Sequence, residues 1–568
     1  MEYQPLPIGV EDFGKFYTDE YYYVDKTLFI KELLDKKAVV NLFTRPRRFG
    51  KTLVLSMLQY FFEDAYDLRG NKTSYKHYFE QLDIWKAGEK YTKHQGMYPV
   101  IFLSLKAGKQ KDYATSVEQL KYIIIEEFER HCYILDEDIL SEKEKLTYKS
   151  YWYGEKSDSE YMQSLKFLSR CLEKYFGQKV IVLIDEYDVP LESAFFSGYY
   201  EEMAGFIRGL FENTLKTNNS LYFSVITGCL RISKESIFTG LNNLYINSVL
   251  SENYGEYFGF TEHEVEKLCD DYGMPQKYQE VKEWYNGYTF GRNNIYNPWS
   301  SIYYISDHLA NINAYPASYW VNTSGNTVVR ELIERADDAQ KEVIGNLIAG
   351  ESVTIPVHED ITYGEIYDNM DNLWNFMFFT GYFKCVAEQF DEWKEQRFIT
   401  LKIVNREVRY IFINKVDGWF ADKMKATDRT SLFTAIISGD TKQMTSELNK
   451  LLQPIISYHD YSENYYHGFL AGVLSGMANY VVRSNREAGK GRSDIFIKPL
   501  SRFDTAFVME LKVTDDIDDL EEKAHEAIEQ IMDKEYEKEL RQDGYKKIVR
   551  YGVAFAKKDC LVVKDSCK

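Results

Sequence analysis

The sequence predicts an α/β protein of several domains, with a mostly parallel sheet in its first half and a second α/β domain near the C-terminal end. Three stretches predict it. An apolar run, Ala38 to Phe43, passes through Thr44-Arg45-Pro46-Arg47-Arg48-Phe49-Gly50 into Lys51-Thr52 and a segment with apolar residues at 53, 54, 55, 57, 58, 61 and 62. That is strand, loop and amphipathic helix. A second apolar run, Val180 to Ile184, ends in Asp185-Glu186. Late in the chain, Asp494-Ile495-Phe496-Ile497 and Ala506 to Val513 read as a hairpin whose second strand carries Glu510-x-Lys512. Alternating strands and helices in the first half imply a parallel sheet covered on both faces. At 568 residues the chain is too long for one core, and three or four domains are expected.

Composition narrows the classes of function. The net charge of −19 argues against an electrostatic grip on nucleic acid by the whole molecule, and leaves a local basic patch open. The seven cysteines are dispersed, form no CxxC pair and are odd in number, as expected of reduced thiols rather than a disulfide frame or a zinc site. The first residues show neither a basic n-region nor an apolar h-region, and no stretch approaches 18 uncharged apolar residues. A cytoplasmic protein with no membrane partner is the expectation. The 47 Tyr and 35 Phe serve cores and surfaces alike and assign nothing.

Taken in order, Tyr3 to Asp25 is aromatic and aperiodic, and is expected to pack against the sheet edge or a nucleotide base. Thr27 to Lys37 is a short amphipathic helix. In the loop that follows, backbone N–H groups of 47–50 at a helix start can cradle phosphates, Lys51 neutralises their oxygens, and Thr52 ligates Mg²⁺. The general motif has Gly where Arg45 stands. Pro46 can set the bend instead, and Arg47 or Arg48 adds charge. Pro99 to Leu105 is a further strand, and Asp112 to Lys174 is mostly helical with a polar loop at Tyr148 to Ser159. Asp185 then stands beside the Mg²⁺ sphere and Glu186 polarises the attacking water. Leu221 to Ile226 is a fourth strand, ending at Thr227-Gly228. Thr227 is a candidate γ-phosphate sensor, and Arg231 or Lys234 a source of transition-state charge; surface bases on a helical turn are an equal alternative.

RPRRFGKTL, LIDEYDVPL, ITGCLRISKESIFTGLNNL and WYNGYTFG…YNPWS together resemble the AAA-ATPase-like family of bacterial proteins, over most of residues 5 to 300. The family pattern has Arg at the position of Arg45. The resemblance implies ATP binding, a conformational ATPase cycle, and commonly a C-terminal PD-(D/E)xK nuclease-like module. It names no cellular role.

In the middle, Thr261 is an N-cap with Glu264 completing a capping box, and Val265 and Leu268 start the apolar face. The aromatic turns at Trp284 to Tyr288 and Tyr296 to Ser300 could close over nucleotide; packing on the ATPase core is the preferred reading. Ser324 to Thr327 caps another helix. Leu373 to Phe383 is a dense apolar helix, and Phe398 to Ile403 with Tyr410 to Ile413 read as a β-hairpin joined by Asn405-Arg406-Glu407. A winged-helix-like connector follows, with no basic stripe.

In the last third, Thr430 to Leu452 is helical, Glu463 opens another helix, Val481 to Glu487 is a strand, and Gly489-Lys490-Gly491-Arg492 turns into the Asp494 strand. Glu510 and Lys512, two apart on one strand, share a face. Asp494 and Glu510 on adjacent strands suit a Mg²⁺ or Mn²⁺ ion, Glu463 or Glu487 completes the shell, and Lys512 orients the attacking water. Gln530 lies on a following helix. The set, with Arg492 and six other basic residues between Arg483 and Lys512, resembles the PD-(D/E)xK nuclease superfamily from about Tyr461 to Val563.

The expected organisation is therefore a P-loop AAA-ATPase-like domain over 1–255, a helical lid over 256–330, a winged-helix-like connector over 331–425 and a restriction-endonuclease-like α/β domain over 426–568. The expected function is ATP-dependent control of a metal-dependent nuclease acting on nucleic acid, DNA in preference, with ATP and Mg²⁺ as cofactors and oligomeric state open. The alternatives are a nucleotide-dependent switch that binds DNA or protein without cutting, and an ATPase whose connector reads DNA.

Overall fold

The computed structural model describes residues 3–66, 71–231, 237–238, 242–320, 327–359, 361–415, 428–452, 463–475, 477–484, 494–534 and 537–566. The chain divides into two compact units. One comprises Met1–Ser324 with Thr354–Tyr410, and the other Gly325–Val353 with Ile411–Lys568.

The first unit is built on five strands, β1 (Val40–Thr44), β2 (Val100–Ser104), β3 (Val180–Asp185), β4 (Leu221–Gly228) and β5 (Leu244–Asn247), in the order β2-β3-β4-β1-β5. All four pairings are parallel. Every residue of β1 and of β3 is buried. Unbroken apolar runs, rather than alternation, are what a sheet covered on both faces requires. Because β4 lies between β1 and β3, the tips of all three strands end side by side, with Phe43 in register with Thr227. Helix α1 (Lys51–Phe62) leaves the β1 loop, and α2 (Val189–Ser197) follows the β3 tip. Strand β5 has four residues, too few for a readable period.

The aromatic N-terminal stretch includes a short helix, Phe13–Thr18, capped by Asp12. The Phe13 N–H donates to Ser56 Oγ on α1 at 2.9 Å. Tyr22 donates to Asp271 and Tyr23 contacts Met57 Sδ, so these rings serve protein packing.

The span expected to be a helical lid holds a small antiparallel sheet of β6 (Phe260–Thr261), β7 (Tyr288–Phe290) and β8 (Asn293–Tyr296), ordered β6-β8-β7, as well as helices. Thr261 and Glu264 form the capping box of the helix Glu262–Asp271. Asn297 caps α3 (Pro298–Ala310) through its side-chain oxygen. The cap expected at Ser324 to Asn326 lies outside the described residues.

The connector has β9 (Val353–Pro356), α4 (Met370–Phe379), β10 (Phe383–Asp391) and β11 (Gln396–Ile403), with strands ordered β10-β11-β9. The hairpin differs from expectation. It joins β10 to β11, and residues 406–415 are helical, so Tyr410 to Ile413 is not a strand. Asn405 is the reason, because its side-chain oxygen accepts from Val408 N–H at 3.0 Å and starts a helix. Val408, Ile411 and Phe412 then fall at helical spacing and are buried.

The second unit carries β12 (Tyr480–Ser484), β13 (Asp494–Pro499), β14 (Ala506–Val513), β15 (Ile548–Ala556) and β16 (Asp559–Ser566) in sequence order. Only β14 and β15 are parallel, which demands a crossover. The helix α6 (Leu520–Asp533) supplies it, after α5 (Glu463–Leu474) earlier in the chain. A Cβ at Gly552 on β15 would stand 2.0 Å from the Ala524 carbonyl oxygen of α6, so that helix lies directly on the sheet. The other sheet face buries Leu448, Phe469, Val473, Ile495, Phe507 and Met509.

Among the described residues no helix is long and apolar enough to cross a membrane. The six described cysteines are free thiols.

One buried carboxyl in the first unit gives a measurable consequence. Glu407 is fully buried, where it accepts from Ser300 Oγ at 2.8 Å and from Trp320 N–H at 2.7 Å. Burial pushes it up to about 7, against an ordinary value of 4.5. Between those values the folded state keeps a proton that the unfolded chain has released. Stability therefore falls as pH rises through that window and levels above it, by at most about 3 kcal/mol. Glu407→Gln is expected to flatten this dependence in thermal melts recorded from pH 4.5 to 8.

Candidate nucleotide and nuclease sites

The loop after β1 closes on itself. Lys51, buried at the first turn of α1, donates through Nζ to the carbonyls of Arg45 at 3.0 Å and Pro46 at 2.9 Å. Left-handed backbone occurs at Arg48 (φ 70°) and Gly50 (φ 78°), and not at Arg45. The motif glycine is therefore dispensable at position 45. The Arg45 side chain is fully buried against the end of β5 and the lid, donating to Asn247 O at 2.7 Å. Phe49 is buried against Tyr288 and Phe290, and Arg48 stacks 4.0 Å over the Trp299 ring. A Cβ at Gly381, after α4, would lie 2.9 Å from Pro46. The lid aromatics and the connector thus pack on the loop itself.

Asp185 is the centre of the strand-tip cluster. Fully buried, it accepts from Thr52 Oγ1 on α1 at 2.6 Å and from Thr227 Oγ1 on β4. The sequence-predicted residues Lys51, Thr52, Asp185 and Thr227 are thereby brought together. Glu186, next in sequence, has left-handed backbone (φ 51°), which costs a non-glycine residue about 1–2 kcal/mol. Its carboxyl is raised by burial and by the neighbouring Asp185 charge.

The arginines are engaged elsewhere on the site's rim. Arg47 pairs with Glu192 on α2. Arg231 pairs with Glu359 of the connector at 3.3 Å, and Arg397 lies 3.5 Å from the same carboxylate. Three acidic residues were missed in the sequence. Asp188 was legible as the last acid of LIDEYD, and it accepts from the Cys229 and Leu230 N–H groups at 2.7 and 3.2 Å. Burial raises its carboxyl, opposed by those N–H groups and by Lys51 and Arg47. Glu192 lies one helical turn further on. Glu359 had no local signal, because its partner is 128 residues away. Lys234 lies outside the described residues.

In the second unit, backbone register sets Asp494 on β13 opposite Glu510 on β14. Glu510 is fully buried. Gln530 on α6 links the two-residue motif, donating through Nε2 to Glu510 Oε1 and accepting through Oε1 from Lys512 Nζ, each at 2.5 Å. Alternation puts Glu510 and Lys512 on one face, and the buried positions Ala524, Ala527, Ile528 and Ile531 turn α6 so that Gln530 reaches both. Glu463 opens α5. The side chains of Glu463 and Asp494, and all of Glu487 and Arg492, lie outside the described residues. Among the described residues no three His, Cys, Asp or Glu side chains converge as a metal cluster. The oxygen donor of Glu510, opposite position 494, fits a hard divalent cation. Of the expected basic patch, Lys498 is turned to Glu539 and Asp543 at 2.7 and 2.8 Å.

The parallel sheet of the first unit is consistent with a P-loop domain and the mixed sheet of the second with a nuclease-like domain. Residues 7–238 match the family described as predicted AAA-ATPase, and residues 461–565 match the PD-(D/E)XK nuclease superfamily. A protein of Azotobacter chroococcum mcd 1, described as "Uncharacterized protein in vnfD 5'region", is 29% identical over 304 residues, covering 53% of this chain and 52% of that protein. The chain thus spans about half the length of this relative.

Gln530 is the structural link of the C-terminal site. Gln530→Ala leaves Glu510 and Lys512 without its amide and is expected to destabilise the protein by about 1–3 kcal/mol in denaturant unfolding. In a double-mutant cycle with Glu510→Gln, the two losses should not add.

Proposed function

We propose that this protein is an ATP-hydrolysing switch that controls a metal-dependent nuclease acting on nucleic acid, DNA in preference. The observation that carries the reading is the presence in one chain of a Lys51–Thr52–Asp185–Thr227 cluster and a Glu510–Gln530–Lys512 cluster, each within its matching domain family. Lys51 exchanges its two loop carbonyls for phosphate oxygens. Thr52 and Asp185 would hold Mg²⁺, which when bound would neutralise charge on the triphosphate. Glu186 takes the proton of the attacking water, and its raised carboxyl suits it to that role. Arg47 and Arg231 exchange their carboxylate partners for phosphate. Arg48 and Phe49 keep the loop seated on the lid.

At the C-terminal site Asp494 and Glu510, with Glu463 or Glu487, would hold Mg²⁺ or Mn²⁺. That ion supplies Lewis-acid stabilisation of phosphoryl charge when bound. Gln530 fixes Lys512, which orients water, and Arg492 contacts the phosphate backbone. Transmission between the sites is supported by connectivity. The connector segment that holds Glu359 beside Arg231 and Gly381 against Pro46 is flanked on both sides by chain of the second unit. Domain boundaries at 255, 330 and 425 are part of the proposal.

The test is a paired assay of ATP turnover and of oligonucleotide or plasmid cleavage with Mg²⁺ or Mn²⁺, on the full chain. Lys51→Ala is expected to lose ATP binding and ATP-dependent cleavage. Glu186→Gln should keep binding and lose turnover at least about 100-fold. Glu510→Ala should abolish cleavage while leaving turnover intact. Metal- and ATP-independent inertness of the wild type toward all nucleic acids would favour the non-cutting switch.

A further inference from the structure

Arg45 is 0% exposed. Its Nη1 donates to the carbonyls of Thr44 at 2.9 Å and Asn247 at 2.7 Å. The guanidinium carbon lies 5.2 Å from the Phe258 ring centre and 5.0 Å from that of Phe290. Nε and Nη2 have no hydrogen-bond partner among the described residues. Burial pulls its ionisation down to about 9, and no carboxylate among the described residues acts on it. It remains a cation at neutral pH. Among the described residues, aromatic faces and carbonyl dipoles balance it in place of a counter-ion.

This charge sits within the phosphate loop. The Arg45 N–H donates to Gly228 O at 3.0 Å, next to Thr227, and the Arg45 carbonyl accepts from Lys51 Nζ at 3.0 Å. A buried charge in a low-dielectric surround is weakly screened by salt and acts over a longer range than a surface one.

We propose that Arg45 is a positioning residue whose buried, uncompensated charge raises the affinity of the loop for polyphosphate without touching it, held in place by Asn247, Phe258 and Phe290. The proposal rests on the nucleotide reading above. It assigns Arg45 a selectivity role: the gain should scale with phosphate charge, and the nucleoside part should be indifferent to it.

The experiment is titration calorimetry of the full chain with adenosine, ADP and ATP, each with Mg²⁺, for wild type, Arg45→Lys, Arg45→Met and Lys51→Ala. Cooperative thermal melts establish folding. Arg45→Met is expected to weaken ATP binding about tenfold or more, ADP binding less, and adenosine binding not at all. Arg45→Lys, which keeps the charge and loses the planar stack, should retain ATP affinity within about threefold of wild type. If Arg45→Met fails to fold, the ATP-to-adenosine affinity ratio of Arg45→Lys carries the test, and a ratio near wild type supports the proposal. Equal losses for adenosine and ATP, or a lysine variant as weak as the methionine one, would reduce Arg45 to a structural clamp. Wild type that binds no ATP would sink the nucleotide reading and this proposal together. Wild type that binds ATP with Arg45→Met unchanged would sink this proposal alone.

Discussion

The first unit depends on one buried carboxylate. Asp185 ends β3 and accepts hydroxyl protons from Thr52 on α1 and Thr227 on β4. Three elements from distant parts of the sequence are fixed at one point by two short hydrogen bonds. The strand order β2-β3-β4-β1-β5 makes this possible, because β4 carries Thr227 between the phosphate-loop strand and the Asp185 strand. Asp185 and Thr227 are buried, where leaving either polar partner unmatched would cost its desolvation. The geometry of the loop follows from this clamp: α1 begins where Thr52 is held, and Lys51, one residue earlier, reaches back to the carbonyls of residues 45 and 46.

Arg45 shows why a motif letter can be read wrongly. Glycine is needed where the backbone is left-handed or where another chain comes close. In this loop the left-handed positions are 48 and 50, and the space at 45 is a side-chain pocket lined by Phe258 and Phe290. The sequence carries the second half of that pocket more than 200 residues downstream, so no local pattern could reveal it. The apolar runs of β1, β3 and β14 were legible because burial on both faces leaves no alternation to confuse. The Thr261–Glu264 cap was legible because its chemistry is local. The β10–β11 hairpin was misplaced because Tyr410 to Ile413 is apolar in both strand and helix patterns, and the deciding signal was a single capping residue, Asn405. The Glu463, Asp494, Glu487 and Arg492 side chains remain assignments from sequence.

The connector acquires its meaning from contacts with the nucleotide loop. Glu359 holds Arg231 and Gly381 abuts Pro46, while Glu407 anchors the segment to the start of α3 through Ser300 and to Trp320. Trp299, beside Ser300, stacks on Arg48. The Glu359 and Gly381 contacts join groups near the phosphate loop to a segment flanked on both sides by chain of the second unit. Packed side chains with two discrete arrangements are the physical means by which a ligand at one site biases another. In the proposed cycle the ion pair at Glu359 would be such an element, because phosphate and carboxylate offer the same guanidinium competing oxygen acceptors.

Both sites share one electrostatic arrangement. Each contains a buried carboxylate and a lysine, the pair to which the proposed function gives a divalent cation and phosphate. Direct pairing would quench both charges. In the first site Asp185 is held by two hydroxyls and Lys51 by two carbonyls. In the second a single amide serves both, with Gln530 Nε2 toward Glu510 and Oε1 toward Lys512. Neutral dipoles fix the positions of the charged groups while leaving their charge to act on what binds. Such prearranged dipoles need little reorganisation when charge develops, which is the property that makes preorganised polar sites effective. A carboxylate and a lysine in each domain are therefore informative less by their presence than by the neutral groups set between them.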